Sequence, residues 1–137
     1  MKEIENIDVL TLKPEVKIDK LSKQKLLNQV QEESQVIVHC TYAGSMNSDR
    51  IRIWASTFLY AKDSSHKSEL IHVENITLYP MWLDVANGQT INFTLIFSGL
   101  PKNCKLFDMI ENIPEPGGFI FENIIRNNTD VYTLEIS

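Results

Sequence analysis

Four carboxylates, Asp108, Glu111, Glu115 and Glu122, fall close together around the Pro114-Glu115-Pro116-Gly117-Gly118 loop. Two carboxylates about 5 to 9 Å apart are the acid and base, or acid and nucleophile, of glycoside hydrolysis. The same oxygens could ligate calcium. The spaced Asp ladder of a calcium loop is absent, so the plain expectation is a solvated acidic surface. His39, His66 and His72 with Cys40 have zinc-ligand chemistry, but their spacing matches no finger or zincin. His39 and Cys40 are neighbours in a predicted strand and must point to opposite faces. Cys104, with Lys102 and Lys105 beside it, is a possible nucleophile only if a histidine reaches it. No Gly-x-Ser-x-Gly elbow occurs, and Gly117-Gly118 leads into a predicted strand, not a helix N-terminus that could cradle phosphate. The expectation is no catalytic residue, no metal and no cofactor.

Aromatic side chains offer a different chemistry. Trp54, Phe58 and Tyr60 share a parity with Arg50 and Arg52 in one alternating run, and Trp82 follows Tyr79-Pro80-Met81. Exposed together, Trp54, Phe58, Tyr60 and Trp82 would anchor a protein partner or stack on sugar rings. A one-residue error in register would instead send the row inward. Asn75-Ile76-Thr77, Asn92-Phe93-Thr94 and Asn127-Asn128-Thr129 match the glycosylation acceptor pattern, which matters only in a secretory pathway.

These residues must be held by strands. From Gln35 onward the chain is rich in Ile, Val, Thr, Phe and Tyr, with frequent turn residues. Val36, Val38, Cys40 and Tyr42 alternate with Ile37, His39 and Thr41. Ile51, Ile53, Ala55, Thr57 and Leu59 alternate with Arg50 through Tyr60 as one long strand. Residues 70–79 read as one long strand or two short ones, 82–85 as a further strand, and Asn87-Gly88 as a hairpin turn. Ile91, Phe93, Leu95 and Phe97 are expected in the core. Residues 104–110, 119–125 and 131–136 complete the set, the last two joined as a hairpin through Arg126–Asp130. Residues 1–34 differ: they are rich in Lys, Glu, Gln and Leu, and a helix from Asp19 or Ser22 to about Glu33 would align Leu21, Leu26, Leu27 and Val30.

The predicted fold is all-β: an immunoglobulin-like two-sheet antiparallel sandwich of about seven to eight strands over 35–137, with residues 1–34 an N-terminal arm containing a short helix. At 137 residues, 43% apolar and 23% charged, one core can form without metals or disulfides. Cys40 and Cys104 are expected as two buried thiols, with a bridge between sheets the alternative. A net charge of −5 without a basic block argues against nucleic acid and anionic membrane surfaces. No run approaches the length of a membrane span. The first eight residues lack the apolar core of a signal peptide, so a cytoplasmic location is expected unless a leader has been removed.

Ile51-Arg52-Ile53-Trp54 with Thr57-Phe58-Leu59, His66-Lys67-Ser68-Glu69-Leu70, Phe93-Thr94-Leu95-Ile96-Phe97 with Gly99-Leu100-Pro101, Phe107-Asp108-Met109-Ile110-Glu111, Pro116-Gly117-Gly118-Phe119 and Arg126-Asn127-Asn128-Thr129-Asp130-Val131-Tyr132 resemble a β-sandwich domain found in uncharacterised bacterial proteins. The resemblance spans roughly the last two-thirds of the chain. It implies the fold and a bacterial origin, and transfers no catalytic residue. The function expected is a non-catalytic binding module for a protein partner or for a second copy of itself. A carbohydrate-binding module is the alternative, and a small carboxylate-dependent hydrolase the second alternative.

Overall fold

The computed structural model describes residues 34–136. The chain divides into two units, Met1–Val30 and Gln31–Ser137, and the fold below belongs to the second. The helix read before Glu33 and the extended segment before Pro14 lie outside the described residues.

The described chain is all-β, with nine strands: β1 Gln35–Ala43, β2 Asp49–Ile51, β3 Thr57–Ala61, β4 Lys67–Glu74, β5 Leu83–Val85, β6 Thr90–Ser98, β7 Leu106–Glu111, β8 Ile120–Ile125 and β9 Val131–Ile136. Seven form one hydrogen-bonded sheet in the order β8-β7-β3-β4-β6-β1-β9, and β2 pairs with β5 in a small second sheet. Among these strands all pairings are antiparallel except β1 with β9, which is parallel; outside them Ile53 and Leu78 form an isolated parallel bridge.

Side-chain alternation follows the expected parity where strands are long. Val36, Val38 and Cys40 of β1 are buried, and so are Ile91, Phe93, Leu95 and Phe97 of β6. The two strands pair along their whole length, from Gln35 opposite Ser98 to Ala43 opposite Thr90. Period-two burial on both partners fixes this register, because a one-residue slip would expose every core side chain.

The sheet cannot be flat. Its edge strands β8 and β9 are joined by only the five residues Arg126–Asp130. Six strand spacings of about 4.8 Å would separate the edges of a flat sheet by about 29 Å. Six Cα steps reach at most about 21 Å. The sheet therefore folds over, and Phe107 of β7 meets Tyr132 of β9 edge to face, with ring centroids 5.1 Å apart.

Strand β4 changes partners along its length. Its residues 67–69 pair with β3, whereas Leu70 and His72–Glu74 pair with β6, with an irregularity between Leu70 and His72. A bulge bends its strand and increases local twist, and strands that change partners in this way make the corners of packed sheets.

Three local expectations are corrected. The residues between Ile51 and Tyr60 are not one strand: β2 ends at Ile51, β3 begins at Thr57, and Ala55 is exposed. Side-chain bonds to the backbone hold this break: Thr57 Oγ1 donates to the Trp54 carbonyl at 2.7 Å, and Glu111 Oε2 accepts the Trp54 N–H at 2.9 Å. Such local bonds compete with ladder bonds. Asn87-Gly88 is a turn, with Gly88 at φ +67° and the Gln89 N–H on the Ala86 carbonyl, but the strands it joins, β5 and β6, do not pair. Positive φ at the third turn residue alone fits a type II turn better than a type I′ hairpin. Likewise β8 and β9 form no hairpin: their link carries the chain from one edge of the sheet to the other.

That link is heavily bonded. Arg126 grips Asp130 through two bonds, Nε to Oδ1 at 2.5 Å and Nη2 to Oδ2 at 2.9 Å. Its Nη1 donates to the carbonyls of Pro101 and Cys104. The Tyr132 hydroxyl accepts the Asn127 N–H at 3.0 Å and donates to Asp130 Oδ1. Among the described residues no helix is long and apolar enough to cross a membrane.

Candidate functional site

Arg50, Arg52 and Trp54 alternate along one extended segment. On one side β2 pairs with β5, setting Arg50 opposite Asp84. On the other, Ile53 exchanges backbone bonds with the 77–79 stretch: its N–H donates to the Thr77 carbonyl, and its carbonyl accepts the Tyr79 N–H. The side chains of these three neighbours form one continuous row. The Arg50 guanidinium lies 4.7 Å over the Trp82 ring, and Arg52 lies 3.6 Å over Trp82 and 4.6 Å over Tyr79. Tyr79 stacks on Trp54 at 3.8 Å. Arg52 Nη1 also donates to the Pro80 carbonyl at 3.2 Å. Each cation–ring contact is worth about 0.5–1 kcal/mol at such exposure. Tyr79 is 47% exposed, Met81 65% and Trp82 42%.

The four aromatic candidates thus divide. Trp54 and Trp82 belong to this row. Phe58 and Tyr60 lie on β3, past the break at Ala55, and make a second pair with centroids 6.1 Å apart. Lys67 covers Phe58 at 4.2 Å, and the Tyr60 hydroxyl accepts from Asn112 Nδ2 at 2.6 Å. Sequence reasoning missed Tyr79 as the ring that joins Trp54 to Arg52. The only signal was its place in the Tyr79-Pro80-Met81-Trp82 run.

Two of the four loop carboxylates serve the backbone. Glu111 is buried, and its Oε2 and Oε1 accept the Trp54 and Phe119 N–H groups at 2.9 and 3.3 Å. Asp108 Oδ1 accepts the N–H of Asn123, which has φ +58° at the bulge in β8, while Oδ2 pairs with Lys62 at 3.1 Å. Three residues apart on a regular strand, Asp108 and Glu111 face opposite sides of β7. Glu115 and Glu122 are exposed. No cluster of three or more His, Cys, Asp or Glu side chains suited to a metal occurs among the described residues.

Burial raises the Glu111 carboxyl pKa above the ordinary glutamate range, against the pull of the two amides and of Arg52. The folded state then holds its proton to higher pH than the unfolded chain. The group's contribution is complete below the unfolded pKa and is lost as pH rises through the folded one. Glu111→Gln cannot titrate, so its stability relative to the native chain should climb as pH rises from about 4.3 toward neutrality. Urea midpoints of both proteins across that window test this, and parallel curves would refute it.

The thiols are separate, buried and unbridged. Burial pushes Cys40 up to about 12, which makes it a poor nucleophile. Cys104 Sγ donates to the Leu106 carbonyl at 3.2 Å. His66 Nε2 lies 2.9 Å from Ser68 Oγ and 3.1 Å from the Gly99 carbonyl, but Ser68 is fully buried. His39 is exposed beside Thr94, and His72 beside Glu74.

At the Arg50 end, the row borders an open groove of about 760 Å³ whose lining includes Ser48, Asp49, Arg50, Trp82, Asp84 and Gln89. Comparison with protein-family models, curated proteins and solved structures returns no match.

Proposed function

We propose that this chain is a non-catalytic binding module that engages a protein partner through the Arg50–Trp82–Arg52–Tyr79–Trp54 row. The observation that carries this reading is the row itself. Trp, Tyr and Arg are the residues most enriched at the energetic centres of protein interfaces, and here Arg50, Tyr79 and Trp82 are exposed, Arg52 and Trp54 half-buried, and all five mutually stacked and pre-ordered. Ordering side chains before contact reduces the entropy lost on binding. A carbohydrate platform has weaker support along the row, because each ring already has a guanidinium or another ring against it. The carboxylate hydrolase reading is weaker still, since Asp108 and Glu111 face apart and hold backbone amides.

The finer fold reading, an immunoglobulin-like sandwich with its first and last strands paired in parallel, belongs to the same proposal. It is supported by the fold-over of the sheet and by the Tyr132 hydroxyl, which bonds back to the Asn127 backbone as a tyrosine corner does. Membership of the bacterial β-sandwich family rests on the sequence resemblance alone.

The test uses the full chain as bait against lysate of its source cell, followed by affinity measurement with the captured protein. Tyr79→Ala combined with Trp82→Ala should weaken that complex at least tenfold while the chain still melts cooperatively. Capture of the same protein with unchanged affinity would overturn the row as the interface.

A further inference from the structure

We infer that the groove beside β2 and β5 is a binding site for a neutral, hydroxyl-rich ligand, a sugar. This goes beyond the protein-interface reading and shares only Arg50 and Trp82 with it. The volume of about 760 Å³ lies within the ordinary range for small-ligand sites.

The wall chemistry selects the ligand. Among the described residues the Arg50 guanidinium makes no hydrogen bond or ion pair, although it sits over the Trp82 ring. Asp84 stands directly opposite Arg50 across the β2–β5 pair and likewise forms no ion pair or side-chain hydrogen bond among the described residues. A five-donor fork and a free carboxylate therefore stand side by side with their capacity unspent. Asp49 is already engaged, by the Tyr42 hydroxyl and the Arg50 N–H. Gln89 commits its Oε1 to the Ala86 N–H at 2.9 Å, which leaves its amide hydrogens free.

Charge argues against an anion, which would meet Asp49 and Asp84 with only Arg50 of the lining to offset them. A neutral ligand with adjacent hydroxyls avoids that repulsion and uses both unspent groups, whereas a cation would use the Asp84 carboxylate alone and leave the Arg50 donors unmet. Each hydroxyl both donates and accepts, so one diol can take the Arg50 fork and give to Asp84. Trp82 stays 42% exposed beside the two guanidiniums over its ring and adds apolar contact at the groove wall. The stacked row fixes Arg50 and Trp82 in place before the ligand arrives.

The experiment follows tryptophan emission of the full chain during titration with three neutral probes, maltohexaose, cellohexaose and laminarihexaose, and with polygalacturonate as an anionic one. Saturable binding of at least one neutral probe at millimolar concentration or below is expected, with polygalacturonate at least tenfold weaker. Asp84→Ala should reduce the neutral affinity at least tenfold without changing the melting temperature, whereas Met81→Ala should leave it unchanged. No saturable response to any neutral probe, preferred binding of polygalacturonate, or full affinity in Asp84→Ala would each overturn the assignment. Because Asp84 lines the groove and is not part of the row, failure of the protein-interface reading would leave these outcomes unaffected.

Discussion

Phe107→Ala should destabilise the fold by about 4 kcal/mol, the usual cost of emptying a fully buried phenylalanine site. Phe107 is fully buried on β7 and meets Tyr132 of β9 at 5.1 Å, so its ring joins two strands far apart in sheet order. The loss combines transfer of the ring to water, the cavity left behind, and an aromatic pair worth about 1 kcal/mol. Surrounding strands cannot collapse freely into the gap because their ladders hold them. Leu106, its sequence neighbour, is 37% exposed on the other face. Leu106→Ala should cost less than about 1 kcal/mol. Denaturant unfolding of both variants checks the contrast, and comparable losses would show that the inner and outer faces of β7 are wrongly assigned.

Arg126→Ala should cost about 3 kcal/mol, or about 10 °C in melting temperature. The Arg126 and Asp130 side chains are 16% and 21% exposed, so solvent screens their pairing little. Removing the guanidinium strands the Asp130 carboxylate and uncaps the Pro101 and Cys104 carbonyls together. Arg126→Lys should recover less than half of the loss, because an ammonium cannot reproduce the bidentate fork. Asp130 sits at φ +56°, a conformation Asn tolerates, so Asp130→Asn is the suitable partner in a double-mutant cycle. A coupling of at least about 1.5 kcal/mol is expected between the two positions. Additive effects would mean that Arg126 acts through the two carbonyls alone.

Several well-separated stretches of the sequence meet as structural joints. Ser68 donates to the Gly99 carbonyl at 3.0 Å, Arg126 to that of Pro101 at 2.8 Å, and the N–H groups of Phe119 and Trp54 to Glu111. Gly118 backs this last joint: an added Cβ would fall 2.4 Å from the Glu111 carbonyl oxygen. Residues bonded in this way serve the fold directly.

Local pattern determined what local physics controls. Alternation put Val36, Val38 and Cys40 on one side of their strand and His39 on the other, and it put Ile91, Phe93, Leu95 and Phe97 in the core, because side-chain direction in a strand depends only on parity; which side of β1 faces inward was settled by the fold. Val131–Ile136 was readable to the residue, and so was the turn at Asn87-Gly88. Partner choice was not readable. The parallel pairing of β1 with β9, the separation of β8 from β9 across the sheet, and the handover at β4 depend on which distant strands meet, and no period of two encodes that. The candidate site divides in the same way. The shared parity of Arg50, Arg52 and Trp54 is written in the chain, but Tyr79 and Trp82 reach that row only because the 77–79 stretch and β5 flank it. Glu111 looks like any acidic loop residue until the break at Trp54 presents an N–H that needs an acceptor; burial then turns a surface charge into a backbone clasp.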